Sequence, residues 1–160
     1  ELGAAGLRAA GIEPQVLAHV VKLATDSFAR RHPDRPLRVG SEPRHLIVEA
    51  DRPLLELLLE NLLSNAAKYS PRGAPIEVVV TSTEDEAHVL VLDRGIGIEG
   101  TDPERMFTPF YRAGNARGLA AGLGIGLAAC RRVLDALGGR IWARPREGGG
   151  AEFGFALPLV

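Results

Sequence analysis

Two side-chain amides, an amine and a phenol recur at helical spacing in the stretch Leu57-Leu58-Leu59-Glu60-Asn61-Leu62-Leu63-Ser64-Asn65-Ala66-Ala67-Lys68-Tyr69. Asn61, Asn65 and then Lys68 or Tyr69 stand at i, i+4 and i+7 or i+8, so on a helix they share one stripe. Leucine or alanine at positions 55, 58, 59, 62 and 66 makes an apolar face beside that stripe, the mark of a half-buried helix. Such a stripe serves either as a binding surface or as a solvated face, and this helix alone favours neither.

Two glycine motifs shift the balance. Asp93-Arg94-Gly95-Ile96-Gly97-Ile98 follows directly on an apolar run. A carboxylate at a strand end can accept a hydrogen bond from the exocyclic amine of a base, and Gly95 and Gly97 let a flat ring approach the backbone. The same residues also make an ordinary turn. Gly122-Leu123-Gly124-Ile125-Gly126-Leu127 opens a helical pattern. Backbone N–H groups exposed at a helix N-terminus, with the helix dipole behind them, suit a phosphate. The glycine spacing differs from the dinucleotide-binding fingerprint, and a Walker A loop is absent. Between the motifs lie Arg105-Met106-Phe107-Thr108-Pro109-Phe110-Tyr111-Arg112 and a small-residue run over 113–121. These read either as a mobile cover anchored by aromatics or as a pinned surface loop.

The elements that must hold these residues follow from periodicity and turn chemistry. Residues 1–13 are rich in glycine and alanine and read as a linker or a cut helix end. A helical pattern runs over 14–31 and stops at His32-Pro33-Asp34. Short strands are expected over 37–40 and 45–49. Asp51 is placed to cap the central helix, with Pro53 in its first turn; Ser70-Pro71-Arg72-Gly73 ends it. Strands over 75–82 and 87–93 flank Glu84-Asp85-Glu86, a helix is expected over 124–137 before Gly138-Gly139, and strands over 140–144 and 152–157 finish the chain. Helices and strands in mixed order, with antiparallel pairs, point to an α+β fold: a two-layer α/β sandwich.

Composition sets the limits. With 160 residues and 46% hydrophobic content the chain can bury one substantial core. A formal net charge of −1 with mixed signs gives no footprint for nucleic acid or an anionic membrane. Cys130, the single cysteine, excludes an internal disulfide and falls on an apolar helix face, as core. No apolar run approaches the roughly 20 residues of a membrane span, and a signal pattern is absent at the start. A cytoplasmic setting is expected.

In this order and at these spacings, the four stretches resemble the N, G1, F and G2 boxes of the ATP-binding catalytic domain of sensor histidine kinases, a branch of the gyrase, Hsp90, histidine kinase and MutL superfamily. The resemblance spans residues 14–158, and Gly148-Gly149-Gly150 followed by Phe153-Gly154-Phe155-Ala156-Leu157-Pro158 is similar to the family's last strand. It implies the Bergerat ATP-binding fold, a mixed, mostly antiparallel sheet packed on helices, with residues 14–160 as the catalytic domain and 1–13 as the end of a preceding dimerisation domain. It further implies that Asn65 binds Mg²⁺ with Asn61 in support, that Lys68 contacts phosphate and that Tyr69 packs near the adenine. Asp93 would accept from the adenine amino group, Gly95 and Gly97 would shape the pocket floor, and Gly122, Gly124 and Gly126 would cradle the phosphates of ATP. Arg112 would reach the outer phosphates.

One feature separates the branches of this superfamily. Its hydrolases carry a glutamate one turn before the metal-binding asparagine; here that position holds Asn61, and an amide cannot act as a general base. Glu60 is rotated by about 100° around the helix. The resemblance thus implies a kinase whose nucleophile comes from elsewhere, with an anti-sigma-type serine kinase, an ATPase or a nucleotide-binding module without transfer as the alternatives. Ala151 stands where the family often has threonine, which removes one hydroxyl. None of His19, His32, His45 and His88 has the surroundings of the family's acceptor histidine. The implied partners are a histidine-bearing dimerisation domain of the same protein and a response regulator. The implied assembly is a full-length homodimer with a monomeric isolated domain, the parent being anchored in the inner membrane.

Overall fold

A computed structural model describes residues 11–98, 104–107 and 126–160 of the chain. Its core is a five-stranded sheet with one layer of helices against it. The strands β2 (Leu37–Ser41), β4 (Ile76–Ser82), β5 (Glu86–Leu92), β7 (Ala151–Pro158) and β6 (Arg140–Pro145) lie side by side in the order β2-β4-β5-β7-β6. Every neighbouring pair is antiparallel except β2–β4, which is parallel. The helices are α1 (Leu17–Arg31), α2 (Arg52–Tyr69) and α3 (Gly126–Ala136). This is the expected two-layer sandwich.

The alternation seen in the sequence fixes which sheet face meets the helices. Ile76, Val78 and Val80 of β4 and Ala87, Val89 and Val91 of β5 are buried, with Val78 opposite Val91 in register. Phe153, Phe155 and Leu157 continue that face on β7. Against it α2 buries Leu55, Leu58, Leu59, Leu62, Leu63 and Ala66, so its polar stripe is left pointing away from the sheet. Each such leucine is worth about 1.5–3 kcal/mol of burial, which makes α2 the anchor of the fold. Asp51 caps it as expected, its Oδ1 accepting from the Leu54 N–H at 3.1 Å.

The N-terminus differs from the sequence expectation. Residues 12 and 13, expected in a linker, and 14–16, expected in a helix, form the strand β1 (Ile12–Val16). It pairs antiparallel with β3 (Ile47–Asp51) as a separate ribbon, Val16 opposite Ile47. A bridge between Val48 and Leu159 ties the ribbon to the end of β7. The apolar residues at 16, 17, 20 and 21 suit a helix locally, but the backbone at 12–16 takes its hydrogen bonds from a partner more than thirty residues away. Helix begins only at Leu17. β3 likewise starts two residues later than expected.

Candidate functional site

The C-terminal end of α2 and the loop after β5 meet at closest approach. A Cβ placed on Gly95 would lie 2.0 Å from the Tyr69 carbonyl oxygen, so only glycine allows this contact. The Ile96 N–H donates to the same oxygen at 3.0 Å, which satisfies a carbonyl that the helix leaves open at its end.

Asp93 sits at the centre of this junction and is only 3% exposed. Its Oδ1 accepts from the Gly95 N–H at 2.8 Å and from the Ala151 N–H at 3.2 Å. Among the described residues none donates to its Oδ2. Burial pushes the carboxyl above its ordinary range, and the two backbone N–H groups, with Arg146 and Arg35, pull it partly back. A held, half-committed carboxylate against glycine backbone is a suitable acceptor for an exocyclic amine. Gly97 lies close by with φ of 77°, facing the Gly150 carbonyl.

The polar stripe of α2 runs away from this junction. Tyr69, Asn65 and Asn61 are half-buried and Lys68 is exposed, all on the last turns of the helix. From Tyr69 back to Asn61 the axis rises about 12 Å, so one helix serves both ends of an elongated ligand. At the far end α3 begins: the Asn61 Oδ1 is 3.8 Å from where a Cβ on Gly126 would sit. Gly126 is exposed and is the first residue of α3. The Cys130 thiol lies one turn further on, donating weakly to the Leu58 carbonyl oxygen at 3.9 Å. Burial pushes that thiol up to about 12, so it stays protonated and acts as core, as expected.

Glu60, the one carboxylate close to this stripe in sequence, is engaged elsewhere: its Oε1 pairs with the Arg31 guanidinium of α1. That agrees with its expected rotation away from Asn61. Phe107, expected to anchor a cover, is buried beside α3 with the Arg131 guanidinium 5.8 Å from its ring centre. Arg112, Gly122, Gly124 and the run over 113–121 lie outside the described residues.

Three contributors were missed by reading the sequence. Arg146 donates from Nη1 to the Asp93 carbonyl oxygen at 3.3 Å, Ala151 acts through its backbone, and Gly150 packs on Asp93 so closely that a Cβ there would lie 2.0 Å from that carbonyl oxygen. Arg146 carries no local signal; Gly150 and Ala151 stand out in the sequence for other reasons and act here through main-chain atoms, and all three lie more than fifty residues from Asp93.

A buried carboxylate against glycine backbone is thus joined by one helix to side-chain amides beside a helix N-terminus, on an α/β sandwich. The chain belongs to the histidine kinase-, DNA gyrase B- and HSP90-like ATPase family, whose pattern matches residues 50–160. It is 39% identical over 134 residues to the sensor histidine kinase WalK of Bacillus subtilis, an alignment covering 82% of this chain and 20% of WalK. The chain therefore spans about a fifth of that relative. The mycobacterial sensor histidine kinase MprB has the same fold, with a TM-score of 0.81 and 25% identity over 92% of this chain and 97% of that one. Histidine kinase ThkA, solved in complex with the response regulator protein TrrA, shares the fold at a TM-score of 0.76 and 24% identity, over 93% of this chain and 42% of that one. This is an ATP-binding catalytic domain of the histidine kinase type. Among the described residues no helix is long and apolar enough to cross a membrane.

Proposed function

We propose that this chain is the ATP-holding half of a sensor histidine kinase, which donates the γ-phosphate to a histidine on a separate dimerisation domain for relay to a response regulator. The observation that carries the reading is Asp93: buried, with Oδ1 fixed by two backbone N–H groups and Oδ2 bonded by no described residue. Asp93 accepts from the adenine amino group, Gly95 and Gly97 floor the pocket, and Tyr69 packs near the ring.

At the other end, Asn65 offers its amide oxygen to Mg²⁺ and Asn61 supports it from one turn earlier. Hard oxygen donors in small number suit this ion, which keeps much of its water and shares the nucleotide's phosphates. Bound there, Mg²⁺ supplies charge neutralisation on the phosphates. Lys68 and Arg112 add positive charge, and Gly122, Gly124 and Gly126 present backbone N–H groups. Phosphoryl transfer asks for this alignment and electrostatic support, with little covalent work by the protein.

The pairing of Glu60 with Arg31 favours the kinase over a water-using ATPase. Asn61 cannot take a proton from water, and the neighbouring carboxylate is held by another helix. Residues preceding the domain lead to the dimerisation hairpin. The parent is a homodimer anchored in the inner membrane, this domain lying in the cytoplasm and monomeric when isolated. The full-length parent incubated with γ-labelled ATP, with and without Mg²⁺, tests the reading. Mg²⁺-dependent label that survives alkali but not acid is expected. Acid-stable label would mean a serine kinase, and free phosphate without labelled protein would mean an ATPase.

A further inference from the structure

The turn between β6 and β7 packs directly on Asp93 and is tied to it from both sides. Arg146 to Gly150 reverse the chain through three glycines with φ of 85°, 106° and 101° at Gly148, Gly149 and Gly150. The Arg146 guanidinium is largely buried and reaches across the ends of two strands. Its Nη1 donates to the Asp93 carbonyl oxygen at 3.3 Å, while its Nη2 pairs with the Glu77 carboxylate of β4. In the opposite direction, Arg94 reaches from the loop after β5 to the turn. Its Nη1 donates to the Glu147 and Gly149 carbonyl oxygens, each at 2.9 Å. Each loop is thus held by an arginine from the other.

We infer that Arg146 is a positioning residue for base recognition: from the β6–β7 turn it sets the orientation of Asp93 toward an exocyclic amine, with Arg94 locking the turn. This rests on Asp93 being the adenine acceptor. The chemistry explains why the turn is needed. Ala151 offers no side-chain donor, so the orientation of the carboxylate falls to its N–H and to whatever fixes the backbone of Asp93. A planar guanidinium can hold a carbonyl and a carboxylate at once in a fixed plane; an ammonium cannot. Breaking the Arg146–Glu77 pair would strand a partly buried charge and release the turn.

The charges around Asp93 give the idea a separate signature. Burial drives its carboxyl upward, and Arg146 and Arg35 oppose this. Glu77 engages Arg146 from β4, and Arg94 is committed to the turn. Neutralising Arg146 therefore raises the pH at which Asp93 takes up a proton and stops accepting from a base.

The test is calorimetric titration of the 160-residue chain with ADP and with inosine diphosphate, which lacks the amino group, from acid to neutral pH. In Arg146→Gln, ADP should bind about tenfold more weakly while inosine diphosphate changes by no more than about twofold. The acid-side midpoint for ADP should also move to higher pH. Arg146→Lys should restore the midpoint without the full preference for ADP. Equal loss for both nucleotides with an unmoved midpoint would overturn the inference and leave Asp93 as the acceptor. If Arg146→Gln does not fold, Arg146→Lys decides: an undiminished preference for ADP sinks the proposal. A wild-type chain that binds the two nucleotides equally would overturn the reading of Asp93 itself.

Discussion

Asp93 brings a charge to a place largely closed to water, and the cost and the use of that charge can be separated. Because burial raises its carboxyl, the folded protein holds a proton that the unfolded chain has already released in the window just above the ordinary aspartate range. Folding stability contributed by this group therefore falls as pH rises through that window. Nucleotide affinity runs the other way, since the acceptor is lost as pH falls. Asp93→Asn keeps an oxygen to accept from Gly95 and Ala151 and removes the charge. The variant should be at least as stable as wild type in thermal unfolding, yet bind ADP about ten- to a hundredfold more weakly because an amide donor now opposes the adenine amine. A lower melting temperature would show that the charge holds the loop. Asn65→Ala belongs to the same scale. It exchanges a half-buried amide for a better helix former. It should leave melting unchanged or raised and abolish the gain in nucleotide affinity on adding Mg²⁺, read by titration with and without the ion. Asp93 and Asn65 were legible in the sequence because their motifs are local. Arg146 was not, because what it grips is the backbone of a residue fifty-three positions away.

At the scale of elements, the site is a matter of which backbones touch. The loop after β5 rests on the end of α2 through Gly95, whereas Gly40 on the edge strand β2 has open space where a Cβ would go. Gly95→Ala should cost about 3 kcal/mol or more in urea unfolding, because the clash is with backbone that cannot rotate away. Gly40→Ala should be neutral or stabilising by about 0.5–1 kcal/mol, through reduced freedom of the unfolded chain. Similar losses in the two variants would refute the packing described for Gly95. The same distinction explains what the sequence revealed of the fold. The central helix, its Asp51 cap and the alternating strands β4 and β5 are set by neighbours within a turn or a hairpin. The strand β1 is set by β3, whose register no local pattern encodes, so Pro14 and the apolar residues after it looked like a helix start.

For the whole molecule, the division of labour between domains is the remaining question. None of the four histidines is placed at the nucleotide site. His32 stacks on Phe28 with ring centres 4.4 Å apart, His88 meets Trp142 edge-on beside Glu86, and His19 and His45 are exposed away from Asp93 in sequence and element. The described part of the site is formed by the sheet and α2 without them, in keeping with the proposed acceptor on a separate segment. Incubated alone with γ-labelled ATP and Mg²⁺, this chain should stay unlabelled. Adding the parent's dimerisation hairpin as a separate polypeptide should give acid-labile label on the hairpin only. Transfer between separate chains would be slow relative to the tethered protein, since tethering raises the effective concentration of the acceptor to about the millimolar range. Rising with hairpin concentration, the rate should therefore approach that of the parent. Label on this chain in the absence of the hairpin would place an acceptor within the domain and end the two-part scheme.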